Sequence, residues 1–255
     1  MLPIMKTIAI AGKGGTGKTT IAALAIRLLS EKKRPILAVD ADSNVNLNDV
    51  LGVELKETIG AIREEMKILA DKLPAGMTKQ QFLEYKIQRS LVETPFFDLI
   101  AMGRPEGPGC YCYANNLLRD ILATLSQNYE YIVIDNQAGM EHLSRRTTQD
   151  IDDLLIVSDP SLRGIRAAGK ISRLVRELET RVKEKFLILN RVQDSIPASL
   201  KEAVAEQGLK LLSVIPEDKT LLEMDQEGKS IWEIPASSPA YKAIVELCQK
   251  IIIAQ

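Results

Sequence analysis

An α/β fold, with a mostly parallel central sheet and helices on both faces, is predicted for this 255-residue chain by three features. Short apolar runs recur along its length. Stretches of helical periodicity lie between most of them. A glycine-rich loop follows the first apolar run and opens the first helix.

Taken in order, residues 7–11 read as a buried strand and 20–30 as the first helix. Residues 35–39 read as a second strand. Amphipathic helices are expected over 54–72 and 79–92, separated by a turn at Pro74-Ala75-Gly76. A strand follows at 97–102 and a helix at 115–126. Strands are then expected at 131–134, 153–157, 185–189 and 211–215. Each is the kind of short apolar run that a parallel sheet buries on both faces, so ligands are expected at the strands' C-terminal ends. In the last helix Tyr241, Ile244, Val245, Cys248, Ile251 and Ile252 share one face, which makes Cys248 a core thiol. No repeat, low-complexity tract or linker divides the chain, so one domain over 1–255 is expected.

Composition narrows the function classes. A 45% hydrophobic content suits a large core, and a net charge of −1 gives no global basicity for nucleic acid. No apolar stretch approaches the length of a membrane span. The opening Met1-Leu2-Pro3-Ile4-Met5-Lys6 leads straight into a strand and does not read as a signal peptide. Three cysteines do not make a disulfide framework and fit a reducing compartment. The expectation is a cytoplasmic protein with neither nucleic acid nor membrane as partner.

The loop Gly12-Lys13-Gly14-Gly15-Thr16-Gly17-Lys18-Thr19-Thr20 fits the phosphate-binding pattern G-x-x-x-x-G-K-[ST]. Glycines leave no Cβ in the way, so successive backbone N–H groups can curl around phosphate oxygens. Lys18 adds charge toward the β- and γ-phosphates, and the Thr19 hydroxyl can ligate Mg²⁺. The following helix points its N-terminus at the anion. Residues 131–135 form an apolar strand ending in Asp135, the build of an acid that holds the Mg²⁺ shell. The second strand ends in Asp40-Ala41-Asp42-Ser43-Asn44, which brings two more carboxylates to the same sheet edge. Asn190, at the end of a late strand, has an amide that can pair with an adenine edge, or it can serve as a cap or turn residue.

Gly107-Pro108-Gly109-Cys110-Tyr111-Cys112 lies between a strand and a helix. Two thiolates cannot close a tetrahedral site alone, but two copies of the chain would supply four. Zn²⁺, Cu(I), Ni²⁺ and an Fe–S cluster all suit such ligands. Tyr111 and Tyr113 beside them read as packing for that interface or as anchors of the following helix. The single histidine, His142, reads as a solvated loop residue. Arg163, Arg166, Lys170, Arg173 and Arg176 form a cationic stripe on one helix face, opposite Ile165, Ala168, Ile171, Val175 and Leu178.

Lys13, inside the loop, makes the stretch KGGTGKT. This resembles the deviant Walker A signature of the P-loop NTPases that include the chromosome-partitioning, septum-positioning and nitrogenase-iron-protein ATPases. The resemblance implies that Lys13 reaches a partner subunit's nucleotide, so that ATP controls homodimerisation. It implies that Asp42 orients the attacking water and that Asp40 contacts a water of the Mg²⁺ shell. Lys13, Lys18 and Asp42 would then be the catalytic set, with Mg²⁺ held by Thr19, Asp40 and Asp135. Asn136-Gln137-Ala138-Gly139 resembles the second switch, with Gly139 near the γ-phosphate. Asn190-Arg191 and Pro216 resemble the family's adenine-flanking positions. More closely, PGCYCYANNLLR, the segment from Asn136 to Arg146, and Ser158-Asp159-Pro160-Ser161 together resemble the CooC-type (also AcsF-type) nickel-insertion ATPases. That resemblance implies Ni²⁺ or Zn²⁺ shared between two subunits by Cys110 and Cys112. It also implies ATP/ADP as nucleotide and carbon monoxide dehydrogenase or acetyl-CoA synthase as client. A spatial-organising switch without metal cargo is the rival reading. A cluster-bearing electron carrier fits less well, because 137–144 contains no second cysteine.

Overall fold

The computed structural model describes residues 5–68, 76–104, 121–122, 125–138, 150–178 and 180–252. Its centre is β1 (Lys6–Gly12), buried at every position. Around it runs an eight-stranded sheet in the order β3-β4-β2-β5-β1-β6-β7-β8. The other strands are β2 (Ile36–Ala41), β3 (Val92–Glu93), β4 (Asp98–Ala101), β5 (Tyr131–Asn136), β6 (Asp150–Ser158), β7 (Arg181–Val192) and β8 (Leu211–Pro216). Every pairing is parallel except that of β3 with β4. This is the α/β architecture expected from the sequence.

Helices cover both faces: α1 (Lys18–Glu31), α2 (Leu47–Leu51), α3 (Ile59–Ile68), α4 (Lys79–Ser90), α5 (Leu162–Glu177), α6 (Ala198–Glu206), α7 (Lys219–Gln226) and α8 (Pro239–Ile252). Strand alternation sorts the core into two layers. Ile8, Ile10, Ile36, Ala38 and Val133 face α1 and α8, where Leu24, Leu29, Ile244 and Cys248 meet them. Ala9, Ala11, Leu37, Val39, Ile132 and Ile134 face α3, α5 and α6, against Ile62, Ile165, Ile171 and Val204. Each large aliphatic side chain buried this way contributes roughly 1.5–3 kcal/mol of transfer free energy.

Several boundaries differ from the sequence expectation, each for a local reason. The helix expected from 54 starts at Ile59, because Thr58 Oγ1 accepts the Ala61 N–H and closes the helix N-terminus there. Residues 69–72 of that expected helix lie outside the described residues. The helix expected over 79–92 begins behind a Thr78–Gln81 capping box but stops at Ser90. Val92 instead pairs with Leu99 in the antiparallel edge strand. Of the helix expected over 115–126, Ile121 and Leu122 are helical, Ser126 opens a 3₁₀ turn, and most of the rest lies outside the described residues. β7 extends four residues N-terminal to the expected 185, where Arg181 and Lys183 pair with Asp150 and Asp152 of β6.

Topology then places the site. The chain leaves β1 toward β2 on one side and reaches β6 on the other. The crevice where these directions diverge lies at the C-terminal end of β1, the usual ligand position in open α/β sheets.

Candidate functional site

Gly12 ends β1 in register with Val157 of β6, and a Cβ there would lie 2.3 Å from the Val157 carbonyl oxygen. Only glycine lets the chain turn into the loop so close to the neighbouring strand. Thr16 is buried and its hydroxyl donates to the Lys13 carbonyl at 2.9 Å, which closes the loop on itself. Gly17 is left-handed (φ 89°) and forms the N-cap of α1. No side chain caps this end and no acidic residue occupies the first turn. The helix therefore presents unpaired N–H groups and positive dipole to an anion. Lys18 is buried, Thr19 and Thr20 are half-buried, and Lys13, Gly14 and Gly15 are exposed.

The carboxylates gather on the α1 face of the sheet. Asp40 and Asp135 are register partners on β2 and β5. The Thr19 hydroxyl donates to Asp135 Oδ2 at 2.6 Å, while Asp135 Oδ1 is buried with no hydrogen-bond partner among the described residues. Burial, with repulsion from Asp40 and Asp42, pushes the Asp135 carboxyl up to about 7 despite the Thr19 bond and nearby Lys18. A buried acceptor without a donor, beside a threonine hydroxyl and the buried Lys18, fits Mg²⁺ and its waters. Asp40 is fully buried, and burial raises its pKa against the bonds it accepts. Its oxygens accept the backbone N–H groups of Asp42, Asn46 and Leu47. Those bonds fold the segment after β2 into α2, a short helix the hydrophobic pattern did not reveal. Asp42 is half-buried at the mouth of the site, and its Oδ1 accepts the Asn44 N–H.

On the other flank the late strands meet the loop. Asn190, buried at the end of β7, donates from Nδ2 to the Thr16 carbonyl at 2.8 Å. Arg191 has φ 58°, uncommon for a non-glycine residue, and its guanidinium reaches the Gly15 carbonyl at 3.2 Å. Pro216 ends β8 in register with Val192. Asn190 and Arg191 thus bond to the loop backbone from the side opposite Asp135, while Pro216 stands one strand further out.

Two contributors read from sequence only as part of the stretch that resembles the second switch, without roles of their own. Asn136 Nδ2 donates to the Ile10 carbonyl at 2.9 Å and ties β5 to β1. Gln137 Nε2 donates to Ser43 Oγ at 3.1 Å and joins the segments after β5 and β2. A polar pair directly after a strand-end aspartate was the available signal for both.

Gly139, His142, Cys110, Cys112, Tyr111 and Tyr113 lie outside the described residues. Among the described residues no group of three or more His, Cys, Asp or Glu side chains is arranged to hold a metal ion. No helix among them is long and apolar enough to cross a membrane. The stripe of Arg163, Arg166, Lys170, Arg173 and Arg176 is exposed on α5, with Ile165, Ala168, Ile171 and Val175 buried on its other face.

Residues 7–231 match the model of the CobQ/CobB/MinD/ParA nucleotide binding domain. An uncharacterized ATP-binding protein of Methanocaldococcus jannaschii is 46% identical, over 96% of this chain and 98% of its own. The carbon monoxide dehydrogenase accessory protein CooC of Rhodospirillum rubrum is 31% identical, over 91% of this chain and 90% of its own. Among solved structures, the cell division ATPase MinD of Pyrococcus furiosus superposes with a TM-score of 0.72 at 24% identity, covering 99% of this chain and 100% of that one.

Proposed function

We infer that this chain, which belongs to the CobQ/CobB/MinD/ParA nucleotide-binding family, is an ATP-hydrolysing switch that pairs with a second copy and assists nickel insertion into a carbon monoxide dehydrogenase- or acetyl-CoA synthase-type enzyme. The observation that carries the ATPase reading is the Thr19–Asp135 bond at the head of α1, with Asp135 Oδ1 buried and unpartnered beside it. That pair suits a magnesium nucleotide. The loop N–H groups and Lys18 would hold the phosphates. Mg²⁺, held by Thr19 and Asp135 with Asp40 reaching its hydration shell, would neutralise charge on the transferred phosphoryl group. Asp42 would orient the water that attacks the γ-phosphorus. Asn190, Arg191 and Pro216 would flank the base while the first two brace the loop. Lys13, exposed at the loop tip, can reach beyond its own chain to a partner's nucleotide.

The metal cargo rests on two supports: similarity to CooC along nearly the whole chain, and the Cys110-Tyr111-Cys112 sequence. With Ni²⁺ or Zn²⁺ as cargo, two copies would supply four thiolates and nucleotide state would govern their approach. The test combines ATP turnover in Mg²⁺, size-exclusion chromatography with and without ATP, and metal analysis after Ni²⁺ or Zn²⁺ loading. Cys110→Ser with Cys112→Ser should abolish stoichiometric metal while ATP still binds. Unchanged metal content in that variant would remove the cargo, and no turnover in the wild type would remove the ATPase.

A second reading, a spatial-organising switch without metal cargo, is favoured by the exposed cationic stripe on α5, which suits an anionic surface. Normal ATP-dependent pairing with no metal bound by the wild type would select it.

A further inference from the structure

Two buried acceptors without donors stand two residues apart at the end of β5. One is Asp135 Oδ1; the other is Gln137 Oε1. Neither has a hydrogen-bond partner among the described residues. Leaving such an atom unpaired is destabilising, so a neighbouring pair of them marks a place where donors arrive with a ligand. Asp135 is accounted for by the magnesium nucleotide. Gln137 is not.

β2 and β5 are parallel neighbours with Asp40 opposite Asp135 and Ala41 opposite Asn136. Asp42 and Gln137 are the residues that follow directly on that last pair, where both strands end. The bond from Gln137 Nε2 to Ser43 Oγ holds the two segments together there. It also fixes the carboxamide, so the free Oε1 has a set direction. Across the site, Ala138 lies near Gly14 of the phosphate loop: a Cβ on Gly14 would be 3.7 Å from the Ala138 Cβ. Gln137 therefore sits between the loop that holds phosphate and the turn that carries Asp42.

We propose that Gln137 orients the attacking water together with Asp42, with Oε1 as the acceptor and Ser43 as the residue that positions it. This rests on the ATPase reading above. In the step, the water oxygen bonds to the γ-phosphorus and the bond from that phosphorus to the β–γ bridging oxygen breaks, leaving ADP. The water's proton passes to the Asp42 carboxylate and on to solvent. A neutral carboxamide cannot take that proton, so Gln137 contributes alignment only.

Full-length wild type, Gln137→Met, Gln137→Glu and Ser43→Ala are compared for kcat, for affinity toward a non-hydrolysable ATP analogue with Mg²⁺, and for Tm without nucleotide. Gln137→Met keeps the side-chain length and removes the acceptor. Its kcat should fall about 10- to 100-fold, with analogue affinity within about threefold. Its Tm should change little, because removing a buried unpaired acceptor offsets the lost bond to Ser43. Ser43→Ala should lower kcat by a smaller factor, and Gln137→Glu, which keeps an acceptor, should recover part of the loss. A kcat for Gln137→Met within twofold of wild type overturns the proposal. So does a kcat loss matched by a lower Tm and lost analogue binding, which is the signature of a merely structural residue. A wild type that binds the analogue but never turns over ATP overturns the ATPase reading instead.

Discussion

Asn190 and Gly17 are built against each other: a Cβ on Gly17 would lie 2.4 Å from Asn190 Nδ2, the same atom that donates to the Thr16 carbonyl. One strand-end amide thus holds the phosphate loop at the residue where it becomes a helix.

Gly17→Ala should be severe. It adds the 2.4 Å contact and forces alanine to φ 89°. We expect about 2–4 kcal/mol of destabilisation and nucleotide affinity at least tenfold weaker. Asn190→Ala leaves the glycine alone and removes one hydrogen bond, so about 1 kcal/mol is expected. Urea unfolding and titration with a fluorescent nucleotide measure both. Equal effects of the two variants would contradict the steric argument.

Asp135→Asn should stabilise the nucleotide-free protein while abolishing magnesium-nucleotide binding. The native carboxyl is raised to about 7 from 3.8, so the folded state holds a proton that the unfolded state releases. Stability from that proton is present below the unfolded value and is lost as pH rises through about 7. At pH 8 the variant should gain about 1–3 kcal/mol over wild type, and near pH 4 the two should converge. Chemical denaturation at several pH values reads this directly, and a gain that does not vary with pH would show that the carboxylate is not the cause.

Lys18→Ala and Lys13→Ala should separate binding from pairing. Lys18 is buried inside its own loop, so its loss should weaken ATP binding to a single chain. Lys13 is exposed, so Lys13→Ala should retain ATP binding but lose ATP-dependent dimer formation and most turnover, about 100-fold. Light scattering with and without ATP checks the pair of outcomes. An ATP-dependent dimer in the Lys13 variant would remove the trans-acting role.

Cys248 should resist alkylation at pH 8 until the protein unfolds. It is fully buried, and burial pushes its thiol up to about 12. Its native pKa lies above the ordinary 9.0, so its contribution to stability is intact below pH 9 and is lost as pH rises toward 12. Peptide mapping after brief alkylation with and without urea distinguishes the states.

Much of this was legible because strand and loop chemistry is local. The run of residues 7–11, the glycines after it and Asp135 at a strand end each carry their meaning within a few residues. The edges of elements were less legible. Val92 looks helical by period and becomes a strand because the chain turns back and pairs it with Leu99, a pairing that helical periodicity does not reveal. α2 exists because Asp40 gathers three backbone N–H groups, and a five-residue helix shows no periodicity to find.

The sequence by itself determined the sheet's composition, the phosphate loop and the identity of the acids, since these depend on residue type and short spacing. Only the tertiary structure decided what touches the loop. Asn190, Arg191 and Asp135 are separated from the residues they bond there by more than a hundred positions, and strand order carries them to it. A parallel sheet brings every C-terminal strand end to one edge, so distant side chains meet by register rather than by proximity in the chain.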